Sequence, residues 1–262
     1  MQIILSDNWH LSSLTDPSLP QGNLTLPNAI CSALPSSVSQ QQIEQQEWYL
    51  SHDCYLEEDL LKCPAIDLVV EGIERFAEVR VNGIAVFDCD GAQQVYQREI
   101  RSLLNSGKNR IELLLIEPDA DYLGDEDLAI TANNKQEHSK SAISHAPRLQ
   151  GISNVRLEKV ETEQVWHYGG GCELIVNVFY STVSPGLVSA SVKFDGMTYQ
   201  LPLDVRDNHV KAIFQVEAPI YSDLENQNPK DLYDLVVELD GQICSQVIAL
   251  SDSLCVSHSN TI

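Results

Sequence analysis

Basic residues are scarce in this chain of 262 residues. It has 16 Lys and Arg against 38 Asp and Glu, which gives a formal net charge of −22 at pH 7. Binding to a polyanion needs a basic patch that releases counterions from the phosphates. We therefore expect no nucleic-acid partner, and the same charge opposes adhesion to anionic lipid.

Long apolar runs are also lacking. No stretch approaches the roughly 20 residues that span a bilayer. The opening MQIILSDNWH has no basic segment before an apolar core, as a secretory signal would. We therefore expect a cytoplasmic protein with no membrane partner. With 43% hydrophobic residues, the chain can still build the cores of two sandwich-sized domains.

The seven cysteines include no Cys-x-x-Cys pair, and their number is odd. This spacing fits neither a zinc site nor a dense disulfide framework, so we expect reduced, mostly buried thiols. The acidic segment Asp119–Asn134 could hold a divalent cation, but sequence alone does not fix the roughly six to eight oxygen ligands that calcium takes. We predict a solvated loop there, and no metal or other cofactor.

Motifs for local catalytic chemistry are absent as well. No Gly-x-Ser-x-Gly elbow occurs, and Gly169-Gly170-Gly171 lacks the Lys-Ser/Thr of a P-loop. Three adjacent glycines after a strand are typical of a flexible hairpin loop. The sequence assigns no catalytic residue.

Alternating apolar and polar residues predict an all-β protein. Ile66, Leu68 and Val70 alternate with their neighbours, as in a half-buried strand. Asn82-Gly83 separates the runs EVRV and IAVF. Asn-Gly between such runs is a strong hairpin signal, since both residues tolerate the positive φ of a type I′ turn.

Further alternating runs occur in the second half of the chain, with Asp195-Gly196 and Asp240-Gly241 among the turns between them. The runs are Val155–Val160, Leu174–Tyr180, Leu187–Phe194, Val210–Val216 and Leu232–Leu239. Short strands with regular turn signals over about 100 residues are typical of an antiparallel sandwich. By contrast, the proline-rich stretch Thr15–Gln46 indicates an irregular surface segment with one short helical turn.

Three motifs follow each other in an informative order. Trp9–Leu11 matches an early "W-x-L". Asp67–Glu117 has an apolar strand that ends in Gly, then "VRVNG", "REI" and the turn "LLNSGKN". Gly151–Glu158 matches "GIW-x-x-V-x-L-E", with Ser153 in place of the usual Trp. This order resembles the first two domains of glycoside hydrolase family 2, and within that family most resembles the β-mannosidase branch.

The resemblance implies an all-β fold with a galactose-binding-like jelly-roll β-sandwich over residues 1–150. An immunoglobulin-like β-sandwich over residues 151–250 and a polar tail over residues 251–262 would follow. In this family the catalytic carboxylates lie in a (β/α)8 barrel after these domains. Such a barrel needs about 250 residues, so we expect that the chain lacks it and is not an enzyme by itself.

A loop near the end of the first domain also differs from the family pattern. In β-mannosidase-like enzymes it resembles "K-A-x-x-x-F-G-W-D-W-G-P-R" and reaches the active site. Here Lys140–Arg148 keeps the final Pro-Arg but not the Trp-Asp-Trp core. The resemblance therefore implies that the sugar-facing aromatic residues are missing together with the barrel.

Aromatic and basic residues near the three glycines are the candidates for carbohydrate binding. Trp166, His167 and Tyr168 lie together at a predicted loop. Sugars stack their C–H faces on aromatic rings beside a few polar groups. His145 and Arg148 from the preceding loop complete the candidate set. A purely structural alternative is that Trp166 packs between the two domains.

These observations favour a β-mannosidase-like, family 2-related protein that acts without catalysis, as a carbohydrate-binding or scaffold protein. The alternatives are the non-catalytic part of a split glycoside hydrolase and a structural assembly subunit. The expected partners are a carbohydrate or a protein, such as a separate glycosidase barrel. Exposed strand edges would also permit a homo-oligomer.

Overall fold

The computed structural model describes residues 1–73, 75–91, 95–116, 142–168, 170–204, 206–220 and 232–251. They fall into two compact units, one from Met1 to Gly151 and one that begins at Ile152. Nearly every regular element is a β-strand, and the sheets are built from antiparallel pairs. The predicted all-β fold, with a jelly-roll sandwich followed by an immunoglobulin-like sandwich, is confirmed.

The described part of the first unit contains twelve strands and two short helices. The strands are β1 (Gln2–Ile4), β2 (Trp9–Ser13), β3 (Gly22–Leu24), β4 (Asn28–Ala29), β5 (Trp48–Leu56), β6 (Ala65–Glu71), β7 (Ala77–Val81), β8 (Ile84–Cys89), β9 (Val95–Glu99), β10 (Gly107–Leu115), β11 (Ala142–Ile143) and β12 (Arg148–Ile152). The helices are α1 (Gln40–Glu44) and α2 (Glu58–Leu61), and 3₁₀ turns lie at Ile30–Ala33 and Arg101–Leu103.

Two sheets enclose the core of the first unit. One has the strand order β1-β12-β6-β9 and the other β3-β2-β5-β10-β7-β8, while β11 pairs with β4. Side chains from both larger sheets form one buried cluster, with Trp9 and Trp48 fully buried in it.

The central strand β6 differs from its prediction. It was expected to be half-buried, but Ala65 to Val70 are buried throughout. Asp67 is fully buried with them, and its carboxylate accepts a hydrogen bond from Gln97 Nε2 at 2.6 Å. Because β6 lies between β12 and β9 in the sheet and is covered on both faces, its sequence is nearly continuously apolar.

The stretch Thr15–Gln46 contains the short helical turn that was predicted, but it is more regular and more buried than its prolines suggested. It contains β3, β4, a 3₁₀ turn and α1, and it contributes to the core of the unit. Its buried side chains are Leu24, Leu26, Ile30 and Ile43. The segment is fixed to the strands because Trp48 Nε1 donates a hydrogen bond to the Ile43 carbonyl at 2.9 Å.

The second unit forms two sheets around its own core. Its described strands are β13 (Val155–Trp166), β14 (Cys172–Thr182), β15 (Ser189–Phe194), β16 (Met197–Pro202), β17 (His209–Val216), β18 (Leu232–Leu239) and β19 (Gln242–Ala249). One sheet has the order β13-β14-β17 and the other β16-β15-β18-β19. The strands β16 and β19 were not predicted, because edge strands with many exposed positions alternate only weakly.

The hairpin turns agree with their sequence signals. The φ angles are 52° and 81° at Asn82-Gly83, 46° and 75° at Asp195-Gly196, and 49° and 75° at Asp240-Gly241. Each pair joins two neighbouring strands of a sheet. Two consecutive residues with positive φ are the requirement of a type I′ turn, which explains the Asn or Asp followed by Gly.

The cysteines in the described part of the chain are free thiols. Cys54, Cys89 and Cys172 are buried, Cys63 and Cys244 are half-buried, and Cys31 is exposed. Burial raises the pKa of Cys54 to about 11 and that of Cys89 to about 12. Cys255, the acidic segment Asp119–Asn134 and residues 252–262 of the tail lie outside the described residues.

Membrane insertion through a helix finds no support in the described ranges. None of the helices there is long and apolar enough to cross a bilayer.

Candidate functional site

The hairpin between β13 and β14 carries three of the candidate residues. Trp166 pairs with Cys172 as the last step of the ladder. The loop beyond it is closed by two main-chain hydrogen bonds, from His167 N to Gly171 O at 3.1 Å and from Gly170 N to His167 O at 3.2 Å. Gly170 and Gly171 have φ angles of 96° and 93°. Gly170 and Gly171 therefore lie in a hairpin loop, as the sequence predicts.

Trp166 does not lie in the loop, where the sequence analysis placed it. It is the last residue of β13 and is half-buried. Its side chain packs against the core of the second unit. The strand extends further than predicted because β13 stays paired with β14 up to the glycines.

His167 and Tyr168 form the exposed tip of this hairpin. The side chain of Tyr168 is fully exposed at 109%, so both faces of its ring can be approached. His167 Nε2 lies 3.2 Å from Glu173 Oε1. Glu173 was missed by the sequence analysis, because only the pairing of Trp166 with Cys172 places it beside the loop.

His145 and Arg148 lie in the first unit, near the turn that follows β6. Arg148 Nη2 is 2.6 Å from Glu71 Oε1, and each side chain is about one-fifth exposed, at 22% and 21%. The exposed His145 has its Nδ1 3.2 Å from Ser144 Oγ. Glu71 was also missed, since it becomes the neighbour of Arg148 only through sheet pairing.

Gly72 holds this second group in place. Its carbonyl accepts hydrogen bonds from both Ser144 N and Ser144 Oγ at 3.1 Å. Gly72 has φ +63°, and a Cβ there would lie only 1.7 Å from Ser144 Oγ. A side chain at this position would therefore displace the segment that carries His145.

The five candidates thus form two groups. Trp166, His167 and Tyr168 belong to the second unit, and His145 and Arg148 belong to the first. Both groups combine a basic side chain with a carboxylate, which offers fixed donors and acceptors to sugar hydroxyls. Only the hairpin group adds an exposed aromatic ring. Among the described residues, no set of three His, Cys, Asp or Glu is placed to hold a metal ion.

Comparison with protein families identifies the first unit. Residues 34–156 match the family model described as the glycosyl hydrolase 2 galactose-binding domain-like domain. This match confirms the resemblance to the galactose-binding-like N-terminal domain of glycoside hydrolase family 2 that was found in the sequence. No curated protein matches the chain.

Solved structures of family 2 enzymes share the fold of both units. A β-D-mannosidase from Dictyoglomus thermophilum matches with a TM-score of 0.71 at 16% identity. An FMN-binding β-glucuronidase from Facaelibacterium prausnitzii L2-6 gives 0.65 at 14%, and a β-galacturonidase from Eisenbergiella tayi bound to galacturonate gives 0.60 at 15%. At these identities the likeness shows the fold alone, so the β-mannosidase branch stays a prediction.

The matched region makes up most of this chain but only a minor part of each enzyme. The matches cover 95% of this chain in all three cases, but only 36%, 39% and 43% of the respective enzymes. The chain thus corresponds to less than half of the length of the enzymes it resembles.

Proposed function

We propose that the two β units act as a non-catalytic, carbohydrate-binding part of a family 2-type glycoside hydrolase system. The observation that carries the proposal is the exposed hairpin tip, where the bare ring of Tyr168 stands beside the pair of His167 and Glu173. An aromatic face with a few fixed polar groups suits the C–H face and hydroxyls of a sugar. The galactose-binding-like domain in the first unit supports this class of ligand.

Arg148 and His145 form a second contact point in the proposal. The guanidinium of Arg148 is already oriented by Glu71, so little side-chain entropy would be lost when it binds a hydroxyl or a carboxylate. Trp166 has a supporting role, because it packs against the core of the second unit directly before the loop and so anchors this end of β13.

Catalysis is assigned to a barrel domain outside these two units. Family 2 chemistry requires two carboxylates held roughly 5–5.5 Å apart for a retaining mechanism. We therefore expect that these units alone hydrolyse no aryl β-mannoside, β-galactoside or β-glucuronide. Turnover by a clean preparation, retained after removal of trace glycosidases, would contradict this assignment.

Sugar binding can be tested with a glycan array followed by calorimetry. We expect at least one glycan to bind, and Tyr168→Ala to weaken its binding at least about tenfold, which corresponds to about 1.4 kcal/mol. Tyr55→Ala is the matched control, since Tyr55 is also exposed, at 74%, but lies on β5. The absence of any ligand, or equal losses in both variants, would refute the assignment of the hairpin.

A second candidate function is suggested by the match to only part of each family 2 enzyme. The two units could complete a hydrolase whose barrel is a separate polypeptide. This candidate predicts that the chain co-purifies with a barrel protein from its native source. Isolation of the chain without such a protein, under conditions that preserve weak complexes, would exclude it.

A cytoplasmic location is a further part of the proposal. The free thiols among the described cysteines support it, because reducing compartments keep cysteines unpaired. Recovery of the protein from native cells in the membrane or secreted fraction would argue against this location.

A further inference from the structure

Each sheet of the second unit ends in two edge strands. In the three-stranded sheet these are β13 and β17, and in the four-stranded sheet they are β16 and β19. An edge strand presents main-chain N–H and C=O groups that another strand can pair with, and proteins usually protect such edges. The four edges differ in how they are protected.

The edges of β13 and β19 are bridged to each other by glutamine side chains. Gln246 Nε2 donates to the Val160 carbonyl at 3.2 Å. Gln164 Nε2 donates to the Ala249 carbonyl at 2.8 Å. These bonds occupy main-chain acceptors of both strands, so this side of the sandwich is closed.

On the opposite side of the sandwich, β16 is a poor template for pairing. It has six residues and includes Pro202, which has no N–H to donate. Its neighbour across the sandwich, β17, has eight residues and contains neither Pro nor Gly. Within the described ranges, no strand pairs with the second edge of β17.

The main chain of β17 is oriented for pairing on that open edge. Tyr180 N donates to Asn208 O at 2.8 Å, next to the ladder between β14 and β17. Hydrogen-bonded and non-hydrogen-bonded pairs alternate in antiparallel sheets. Ala212 and Phe214 therefore bond to β14. The residues whose N–H and C=O groups point away from β14 are His209, Lys211, Ile213 and Gln215.

These outward-pointing residues also have exposed side chains. Ile213 is 45% exposed, an unusual position for an isoleucine in the middle of a strand. β17 contains no acidic residue, although the whole chain has a net charge of −22. It is therefore among the least acidic strands of an acidic protein.

We propose that β17 is the interface between two copies of this chain. The two β17 strands pair antiparallel, with Ile213 opposite Ile213 of the second copy on the two-fold axis. Lys211 then faces Gln215 of the second copy, and His209 faces Glu217. The two three-stranded sheets become one continuous sheet of six strands, joined by about six main-chain hydrogen bonds.

The register follows from face and charge. Each residue keeps its side chain on the face where it lies in the single unit, so Ala212 meets Phe214 on the core side. No like charges stand directly opposite each other, and Ile213 buries its exposed side chain against its own copy. A symmetric register centred on Ala212 would instead place Lys211 against Ile213, and one centred on Lys211 would place two like charges opposite each other.

The net charge also predicts how dimer formation depends on salt concentration. Two chains of −22 repel each other at long range, and salt screens this repulsion beyond a Debye length of about 10 Å at 0.1 M. In this register β17 itself contributes no acidic residue, and Lys211 faces Gln215 and not a carboxylate. Association through β17 should therefore become stronger as salt rises from low to physiological concentration. An interface built from ion pairs would weaken instead.

Sedimentation velocity of the whole chain over a range of concentrations tests the proposal. We expect a dimer whose dissociation constant rises at least about tenfold in Ile213→Lys, which places two like charges on the axis, and in Ile213→Pro. Proline removes an N–H that points away from β14, so the ladder within the unit keeps its bonds. Thr198→Lys on the neighbouring edge β16 is the matched control and should leave the dimer unchanged.

A wild-type chain that stays monomeric at millimolar concentration would overturn the proposal. So would a dimer that survives both substitutions of Ile213. If these variants fail to fold, a disulfide test replaces them. Ile213→Cys is made in a Cys31→Ser background, which removes the exposed native thiol. In the proposed register the two introduced cysteines face each other on the axis and can form a disulfide under mild oxidation. We expect disulfide-linked dimer from Ile213→Cys but not from Thr198→Cys. Equal yields of disulfide-linked dimer from the two variants would refute the register. This inference does not depend on sugar binding.

Discussion

Some buried side-chain hydrogen bonds of the two units span very different distances along the chain. In the first unit, Trp9 Nε1 donates to the Leu5 carbonyl four residues away, and Asn109 bonds to Asn105, also four residues away. In the second unit, side-chain bonds join residues 85 to 87 positions apart, such as Gln242 with Val155. The bonds of Trp9 and Asn109 fix turns and wrapping segments of the first unit, although Gln150 Nε2 also donates to the Met1 carbonyl at 3.4 Å and so joins the two ends of that unit. The long bonds of the second unit join its first strand to its last hairpin.

This difference has consequences for folding. Short-range bonds can form while the rest of a domain is still disordered, because they close small loops. Bonds between β13 and the last hairpin of the unit require both ends of the unit to be in place. We therefore expect the second unit to be more sensitive to changes near Asp240 and Gln242 than their position in a surface hairpin suggests.

The largest effect should come from the buried indole of the first unit. Trp48→Ala removes a fully buried side chain and its hydrogen bond to Ile43, and we expect a loss of about 3–5 kcal/mol in the stability of that unit. Hydrogen exchange resolved by peptide should show faster exchange in the first unit only. Phe214→Ala is the counterpart in the second core, and exchange that rises equally in both units would contradict independent cores.

Asn109 should give the next largest effect. Its side chain donates to the Asn105 and Gly107 carbonyls and accepts from Asn105 N and Asn82 Nδ2. Asn109→Ala leaves several buried groups without a partner, so we expect a loss of about 2–3 kcal/mol in urea unfolding. The exposed Asn23 on β3 provides the control, and its replacement by Ala should change stability by less than about 0.5 kcal/mol. Similar losses of unfolding free energy in the two variants would show that the hydrogen bonds of Asn109 do not stabilise the unit.

Gln242 tests the long-range bonds of the second unit. Its side chain accepts from Leu157 N at 3.0 Å and donates to the Val155 carbonyl at 2.7 Å. We expect Gln242→Ala to cost about 1–2 kcal/mol and to speed exchange at the start of β13, far away in sequence. The exposed Gln200 on β16 serves as the control. Faster exchange confined to the turn around Gln242 would contradict a long-range role.

The smallest effect concerns pH. The Arg110 guanidinium and the Lys108 ammonium hold the pKa of Asp53 well below its usual range. Since the unfolded chain, with a pKa of about 4, binds the proton more readily, this stabilisation is present above about pH 4 and is lost as the pH falls through the folded-state pKa. Asp53 is about one-third exposed, so its contribution should stay below about 1 kcal/mol.

Asp53→Asn should therefore flatten the acid limb of a stability-versus-pH curve without changing stability by more than this amount. Asp204 is the counterpart in the second unit, where Arg206 in the same turn lowers the pKa to about 2. The Asp53 pair joins two strands and the Asp204 pair lies within one turn. A larger pH effect from Asp204→Asn would reverse the expected order.

Much of the fold could be predicted from the sequence because its signals are local. Asn82-Gly83, Asp195-Gly196 and Asp240-Gly241 fix hairpins through their own φ angles, whatever the rest of the chain does. The burial of β6 on both faces was missed, since alternation reports one buried face and cannot show that the other is covered too.

The candidate site could be predicted only in part. Composition indicated an aromatic and basic cluster at Trp166–Tyr168, but not that Trp166 ends a strand while Tyr168 stands fully exposed. The partners Glu173 and Glu71 could not be found, because each depends on the register between two strands. Register is set by packing across the whole sheet and not by the residues of one strand.

By itself, the sequence determined that the chain is all-β, where its tight hairpins lie and which family its first domain resembles. These features follow from backbone preferences and alternation within a few residues. Only the tertiary structure decided that glutamines close one side of the second sandwich and that β17 on the other side keeps an open edge. The physical reason is that an edge is defined by which strands pair, and pairing joins residues far apart in the chain.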